Sequence, residues 1–299
     1  MTIRFGTSEA GGTFHSQGVT IAELFHRAHP NEERCVVSTN LVTLDDVKLF
    51  DRDELDFGLM ASNWIGRAKD GAPPFTHPIA LRVVAPANAG PVFFVTLADS
   101  PIKTVSDLVG RRIALGPKGS GMAQHAEVIF KILGILFDSF MPIYLGFAEA
   151  GEALIKGEID ALWQRPIPNK AMRELSERAD VRILPYAAGQ LEKIISEVSF
   201  YRKVAIEEGA FRGVSEDTPQ VGVVNVIVTH ESVAQEAVHA LATVIASNLD
   251  ALPKLNPLFQ SLKPLFAALR TQGAAAFEFA GVPLHPGASR AYKDIGLVK

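Results

Sequence analysis

The sequence is poor in cysteine: Cys35 is the single one among 299 residues. An internal disulfide and a thiolate metal cluster are both excluded, and a reducing or an oxidising compartment suits the chain equally. No apolar run reaches the roughly eighteen residues a membrane helix requires. Positive charge is not in excess either, with 29 Lys and Arg against 33 Asp and Glu and a formal net charge of -4. Nucleic acid and anionic membrane surfaces are therefore poor partners. No G-x-S-x-G nucleophile elbow occurs, and GPKGSGM lacks the lysine and hydroxyl order of a P-loop. GTSEAGG misses the dinucleotide fingerprint by spacing, and CVVST ends in Thr39 without the acidic residue that would follow. His26 and His29 share a helix face with no third ligand at a usable distance, so the sequence implies no metal and no cofactor.

What is present is an ordinary globular composition, 47% hydrophobic and 21% charged. Strand-like TIRFGTS follows Met1 at once, without a basic or apolar leader. The expectation is a cytoplasmic protein, or one whose signal peptide has been removed.

Strand and helix signals alternate along the chain. TIRFGT precedes a helix from Thr13, with Val19, Ile21, Ala22, Leu24 and Phe25 inward and Glu23, His26 and Arg27 outward. RCVVST is a strand, LDDVKLFDRDE a helix, and DFGLMAS and PIALRVVAP are strands. The prolines and glycine of PANAGP predict a break where the chain leaves one layer for a second. There RRIALG, MPIYLGF, IDALWQ and VRILPY read as strands between helices, and PQVGVVNVIVTH is a long apolar strand before an amphipathic helix. The pattern predicts two doubly wound α/β lobes joined by two hinge crossings, residues 1–91 with 225–299 forming one lobe and 92–224 the other. Ligands of such sheets sit at the carboxyl ends of the strands. This selects GTSEAGGTF, STN, ASNW, GPKGSGM, FAEAG and WQRP, each of which follows a strand.

GTSEAGGTF, KTVSDLVGRRIALGPKGSG, FAEAGEALIKGEIDA and PLHPGASRAYKDIG, in this order over nearly the whole chain, resemble the TAXI family of TRAP-transporter solute-binding proteins. The resemblance implies a two-lobed type II periplasmic-binding-protein fold, a venus flytrap that closes on a small carboxylate such as an amino acid, keto acid or dicarboxylate. It also implies transport in the periplasm, with TRAP membrane subunits as partners and no catalysis. Helix N-termini, whose N–H groups are unpaired, suit such an anion.

The family's first loop maps onto Gly6, Thr7, Gly11, Gly12 and Thr13, with Phe14 at an aromatic position. Ser8 and Glu9 lie in the same loop, and Glu9 stands where the family has glycine. The turn after the second strand maps onto Ser38 and Thr39, beyond which NLVTLDD departs from the family. Ser62 and Asn63 match a polar pair, with Trp64 beside them as a pocket wall. Gly119, Ser120 and Gly121 match the second-lobe loop, followed by Met122. IDALWQRP departs from the family's apolar residues and brings in Gln164 and Arg165, the latter suited to bidentate carboxylate binding. His15 and His125 sit one turn inside their helices. Two alternatives remain open at this stage: a cytoplasmic enzyme of the same fold, a decarboxylase for example, drawing on Glu9, His15, His125 or Glu149 as acid or base, and a ligand sensor.

Overall fold

Residues of a strand point alternately to the two faces of its sheet, and in this chain both faces are apolar. The computed structural model describes residues 2–7, 13–30, 34–38, 49–50, 52, 54–73, 75–118, 121–164, 169–198 and 200–298. The chain begins β1 (Thr2–Gly6), α1 (Thr13–Ala28), β2 (Arg34–Ser38), β3 (Phe57–Ala61), α2 (Ser62–Asp70) and the long β4 (Leu81–Leu97). It continues β5 (Arg112–Ala114), α3 (Gly121–Leu133), β6 (Met141–Ile143), α4 (Phe147–Ile155), β7 (Ala161–Gln164), α5 (Lys170–Arg178), β8 (Val181–Ile183), α6 (Gln190–Glu197) and β9 (Tyr201–Ile206). A second long strand, β10 (Thr218–His230), leads into α7 (Gln235–Ser247), α8 (Leu252–Leu255), α9 (Leu262–Gln272) and α10 (Pro286–Asp294). Two compact units result, the first Met1–Ala89 with Val224–Lys299 and the second Gly90–Val223. The chain passes between them once inside β4 and once inside β10.

Each unit repeats one plan. In the first the strand order is β2-β1-β3-β10, with β1 parallel to its neighbours and β10 antiparallel to β3. In the second it is β6-β5-β7-β4, with β5 parallel to its neighbours and β4 antiparallel to β7. β8 adds to β4, and β9 pairs with the first half of β10.

A shared clasp marks the repeat. Arg4 of β1 donates to the carboxylate of Asp56, which precedes β3, from its backbone N at 2.7 Å, from Nε at 3.0 Å and from a terminal nitrogen at 2.7 Å. Arg112 of β5 does the same to Asp160, which precedes β7, at 2.8, 3.1 and 2.7 Å. Hydrogen bonds to Arg112 hold the Asp160 carboxyl below its ordinary pKa. A bidentate guanidinium and an ordered backbone N–H fix the parallel register at the amino ends of the strands, leaving the carboxyl ends for loops.

In the second unit Val92, Phe94, Ile113, Leu115, Ala161 and Trp163 face one core with Phe130 of α3. Phe93, Val95, Ala114 and Leu162 face the other with Met172 of α5. Odd and even neighbours thus separate to opposite sides, as a doubly wound sheet requires. In the first unit α1 lies close on β1 because Gly18 has no side chain: a Cβ there would meet Thr7 Cγ2 at 2.4 Å.

The passage from the first unit to the second falls within PANAGP, between Ala89 and Gly90; it is made inside β4, which runs from Leu81 to Leu97 through both prolines, because proline's fixed φ is compatible with extended backbone and costs only a donor. The charged YRKVAI, not read as a strand, forms β9, with Tyr201 and Ile206 buried and Arg202, Lys203 and Ala205 less so. His26 is exposed, and its Nε2 accepts the backbone N–H of Cys35 at 2.9 Å. Most of the helix read in LDDVKLFDRDE lies outside the described residues. Among the described residues, no helix is long and apolar enough to cross a membrane and no three metal-ligating side chains are grouped.

Candidate functional site

In the first unit the carboxyl ends of β1 and β2 are tied together by Thr7, whose hydroxyl donates to the carbonyl of Ser38 at 2.7 Å. Thr13, exposed, and Phe14, half-buried, open α1 just beyond β1. β3 ends at Ala61 and α2 begins at once with Ser62 and Asn63. Ala61 is the N-cap, in extended conformation and without a capping side chain. The N–H groups of this first turn have no partners within the helix and stand at the positive end of its dipole.

Ser62 is 0% exposed, and its hydroxyl has no hydrogen-bond partner among the described residues. Both polar atoms of the Asn63 amide are shielded and without partners there as well. An unmatched buried polar atom costs roughly 1–3 kcal/mol, and here three of them sit on two adjacent residues. Trp64 turns to its own neighbourhood, edge-on to Phe75 at 6.1 Å with the Arg67 guanidinium 5.8 Å from its ring.

Sequence reading missed a chain of amides that joins β10, β4 and α1. Asn225 of β10 donates from Nδ2 to Asn88 Oδ1 of β4 at 2.8 Å, and Asn88 Nδ2 donates to Gln17 Oε1 of α1 at 3.1 Å. Gln17 Nε2 in turn donates to the Ala87 carbonyl at 3.3 Å. Asn225 is directly opposite Ala61 in the β3–β10 register. The signal was an asparagine in the middle of each long apolar strand, in PANAG and in VVNVIV. Thr7, Gln17, Ser62, Asn63, Asn88 and Asn225 are all uncharged.

In the second unit α3 starts at Gly121, and Met122 accepts the Trp163 indole N–H through its carbonyl at 2.9 Å. Trp163 is wholly buried against Phe94 and is a core residue. Gln164, at the carboxyl end of β7, is buried and accepts from Asn169 Nδ2 at 3.3 Å, while Asn169 caps α5 by accepting the Met172 N–H at 2.8 Å. Lys118, before α3, stands 5.8 Å from the Tyr144 ring.

His125, one turn inside α3, is buried, with Nδ1 2.7 Å from the Tyr201 hydroxyl. Burial lowers its pKa to about 4 and raises that of Tyr201. Tyr186 lies close enough to Tyr201 to feel its charge, and burial raises its pKa also. His125 is thus a neutral, weakly basic ring at pH 7. Glu149 is exposed and spends one carboxylate oxygen on the Gly146 N–H at 3.4 Å.

Of the residues selected from sequence, Thr13, Ser38, Ser62, Asn63 and Trp64 lie near carboxyl-end loops of the first unit, and Gly121, Met122 and Gln164 near those of the second. Ser8, Glu9, Gly12, Thr39, Ser120 and Arg165 lie outside the described residues.

The sequence profile described as the NMT1-like family matches residues 5–296. Several solved structures have a similar fold. The periplasmic sulfonate-binding protein SsuA of Methylobacillus flagellatus KT is 13% identical over 99% of this chain and 95% of its own, with a TM-score of 0.57. A TctC solute-binding protein from Polaromonas is 18% identical over 91% of this chain and 88% of its own, with a TM-score of 0.56. MatC of Rhodopseudomonas palustris, solved with bound malate, is 14% identical over 88% of this chain and 90% of its own, with a TM-score of 0.55. The fold is that of the two-lobed periplasmic binding proteins.

Proposed function

Since the chain belongs to the NMT1-like family, we propose that it is an extracytoplasmic solute-binding protein of the TAXI type, delivering a small carboxylate to the membrane subunits of a TRAP transporter. The observation that carries the reading is the pair Ser62 and Asn63, whose shielded polar groups have no partners among the described residues and stand at the start of α2, where the N-cap Ala61 supplies no capping side chain. A carboxylate there would accept from the open N–H groups and from the Ser62 hydroxyl, and the helix dipole favours its charge. Desolvation makes each of these bonds matter more than it would in water.

The other residues read from the sequence are proposed as ligand contacts within each unit: Ser8, Glu9, Gly12, Thr13, Phe14, Ser38 and Thr39 in the first, and Ser120, Gly121, Met122, Gln164 and Arg165 in the second, Arg165 as a carboxylate partner. Binding proceeds without turnover in this reading, in keeping with a buried, neutral His125. The test is native mass spectrometry of the protein as purified, followed by thermal unfolding with amino acids, keto acids and dicarboxylates. A binder at a hundred times its Kd adds about 2.7 kcal/mol. A panel without any shift refutes the carboxylate reading.

A further inference from the structure

Three amides of the first unit share a hydrogen-bond chain whose direction is set at one end. The Ala87 carbonyl can only accept, so the Gln17 group that faces it is Nε2. Gln17 Oε1 then requires a donor, which is Asn88 Nδ2, and Asn88 Oδ1 requires a donor, which is Asn225 Nδ2. Turning over any one amide would set oxygen against oxygen or NH2 against NH2, so one backbone carbonyl orients all three. Gln17 and Asn88 are buried, whereas Asn225 is only half-buried. Among the described residues the chain ends at Asn225 Oδ1, an acceptor that cannot turn over without breaking the series.

The residue that carries this acceptor pairs with the N-cap of α2: Asn225 is opposite Ala61, and Ser62 is the next residue. Cα atoms of directly opposed antiparallel residues are about 5 Å apart, a span that a carboxylate and the substituent on its adjacent carbon can bridge. We infer that Asn225 is a specificity-determining residue whose Oδ1 accepts a hydrogen bond from the ligand, so that the site takes 2-amino and 2-hydroxy acids in preference to matched 2-oxo acids. The inference rests on the carboxylate reading above. An ammonium or hydroxyl at C2 satisfies the fixed acceptor, whereas a keto oxygen brings a second acceptor to the same place and leaves both unpaired. Gln17 and Asn88 act through Asn225 as positioning residues: they hold the amide in the orientation that rejects the keto group.

The test is calorimetric titration of the full chain with 2-amino, 2-hydroxy and 2-oxo acids matched in carbon number, repeated with Asn225→Ala and Gln17→Met. The unaltered protein is expected to favour a donor-bearing acid over its 2-oxo counterpart by about tenfold or more. Asn225→Ala brings the two within about threefold of each other. Gln17→Met keeps Asn225 but releases the chain from Ala87, so the ratio narrows there too, a change that a merely structural role for Gln17 would not produce. Equal affinities in the unaltered protein, or a preference that survives Asn225→Ala, overturn the inference and leave the carboxylate reading standing. Binding of no acid in the series overturns that reading, and the inference with it.

Discussion

His125 supplies a pH dependence whose size follows from its surroundings. Its ring is buried in α3, and burial lowers its pKa from 6.5 to about 4 because an imidazolium is poorly solvated there. In the unfolded chain the ordinary value returns, so between pH 6.5 and about 4 the unfolded state binds more protons than the folded one. The stability contributed by neutral His125 is therefore complete above pH 6.5 and drains away as the pH falls towards 4. A separation of this size amounts to about 3 kcal/mol in full, most of it gone by about pH 4.5. His125→Gln removes the titration while keeping a side chain able to bond the Tyr201 hydroxyl. The assay is urea unfolding at about pH 7 and about pH 4.5, followed by fluorescence in a Trp64→Phe background. There the remaining tryptophan, Trp163, reports from the core of the second unit. The parent should lose about 2–3 kcal/mol more than the variant between the two conditions. Equal losses would show that His125 is not held neutral by burial, whatever the variant's absolute stability.

Two further substitutions test how the units are built. Gly18→Ala should gain about 1 kcal/mol as a helix substitution, but the new Cβ would meet Thr7 Cγ2 at 2.4 Å; the net expectation is a loss of about 1–3 kcal/mol in the first unit. The readout is labelling of Cys35, the sole thiol, which is buried with its pKa pushed up to about 12 and so reacts only through opening. Its rate at about pH 8 should rise roughly ten- to a hundredfold, and an unchanged rate would refute the close contact. Asp160→Asn removes the charge that Arg112 clasps, and should cost the second unit about 2 kcal/mol at neutral pH. Because the Asp160 pKa is lowered from 3.8, its contribution is present above that pH and lost below it. The parent and variant should therefore converge in stability on acidification, and parallel curves would count against the clasp.

The alternation of strands and helices was legible because each strand is a short apolar run closed by turn residues. Ser62 and Asn63 were legible for the same reason, since they follow the apolar DFGLMA directly. β9 was not, because Arg202 and Lys203 give it the look of a solvated segment, and only pairing with β10 makes it a strand. The amide chain was hidden by distance. Gln17, Asn88 and Asn225 sit 71 and 137 positions apart along the chain. Only the antiparallel return of β10 onto β3 brings the last of them opposite Ala61, the N-cap of α2. Gln17 alone looked like any polar residue near a helix start. The Arg4–Asp56 and Arg112–Asp160 clasps left a trace in the paired texts ELDFGLM and EIDALWQ, but an Arg–Asp pair has no sequence signature until the strand register is known.

The passage of the chain between units inside β4 and inside β10 has a bearing on how the protein is born. Gly90–Val223 is one continuous segment, whereas the first unit needs the chain from both of its ends. On a ribosome adding roughly 5–20 residues per second, β3 is made on the order of ten seconds before the half of β10 that covers its edge. Over that interval FGLMA is an apolar strand with one side unpaired, the kind of edge that recruits other chains. The inserted unit can fold first and the host only afterwards, so nascent chains arrested before Asn225 are where misassembly of this protein would begin.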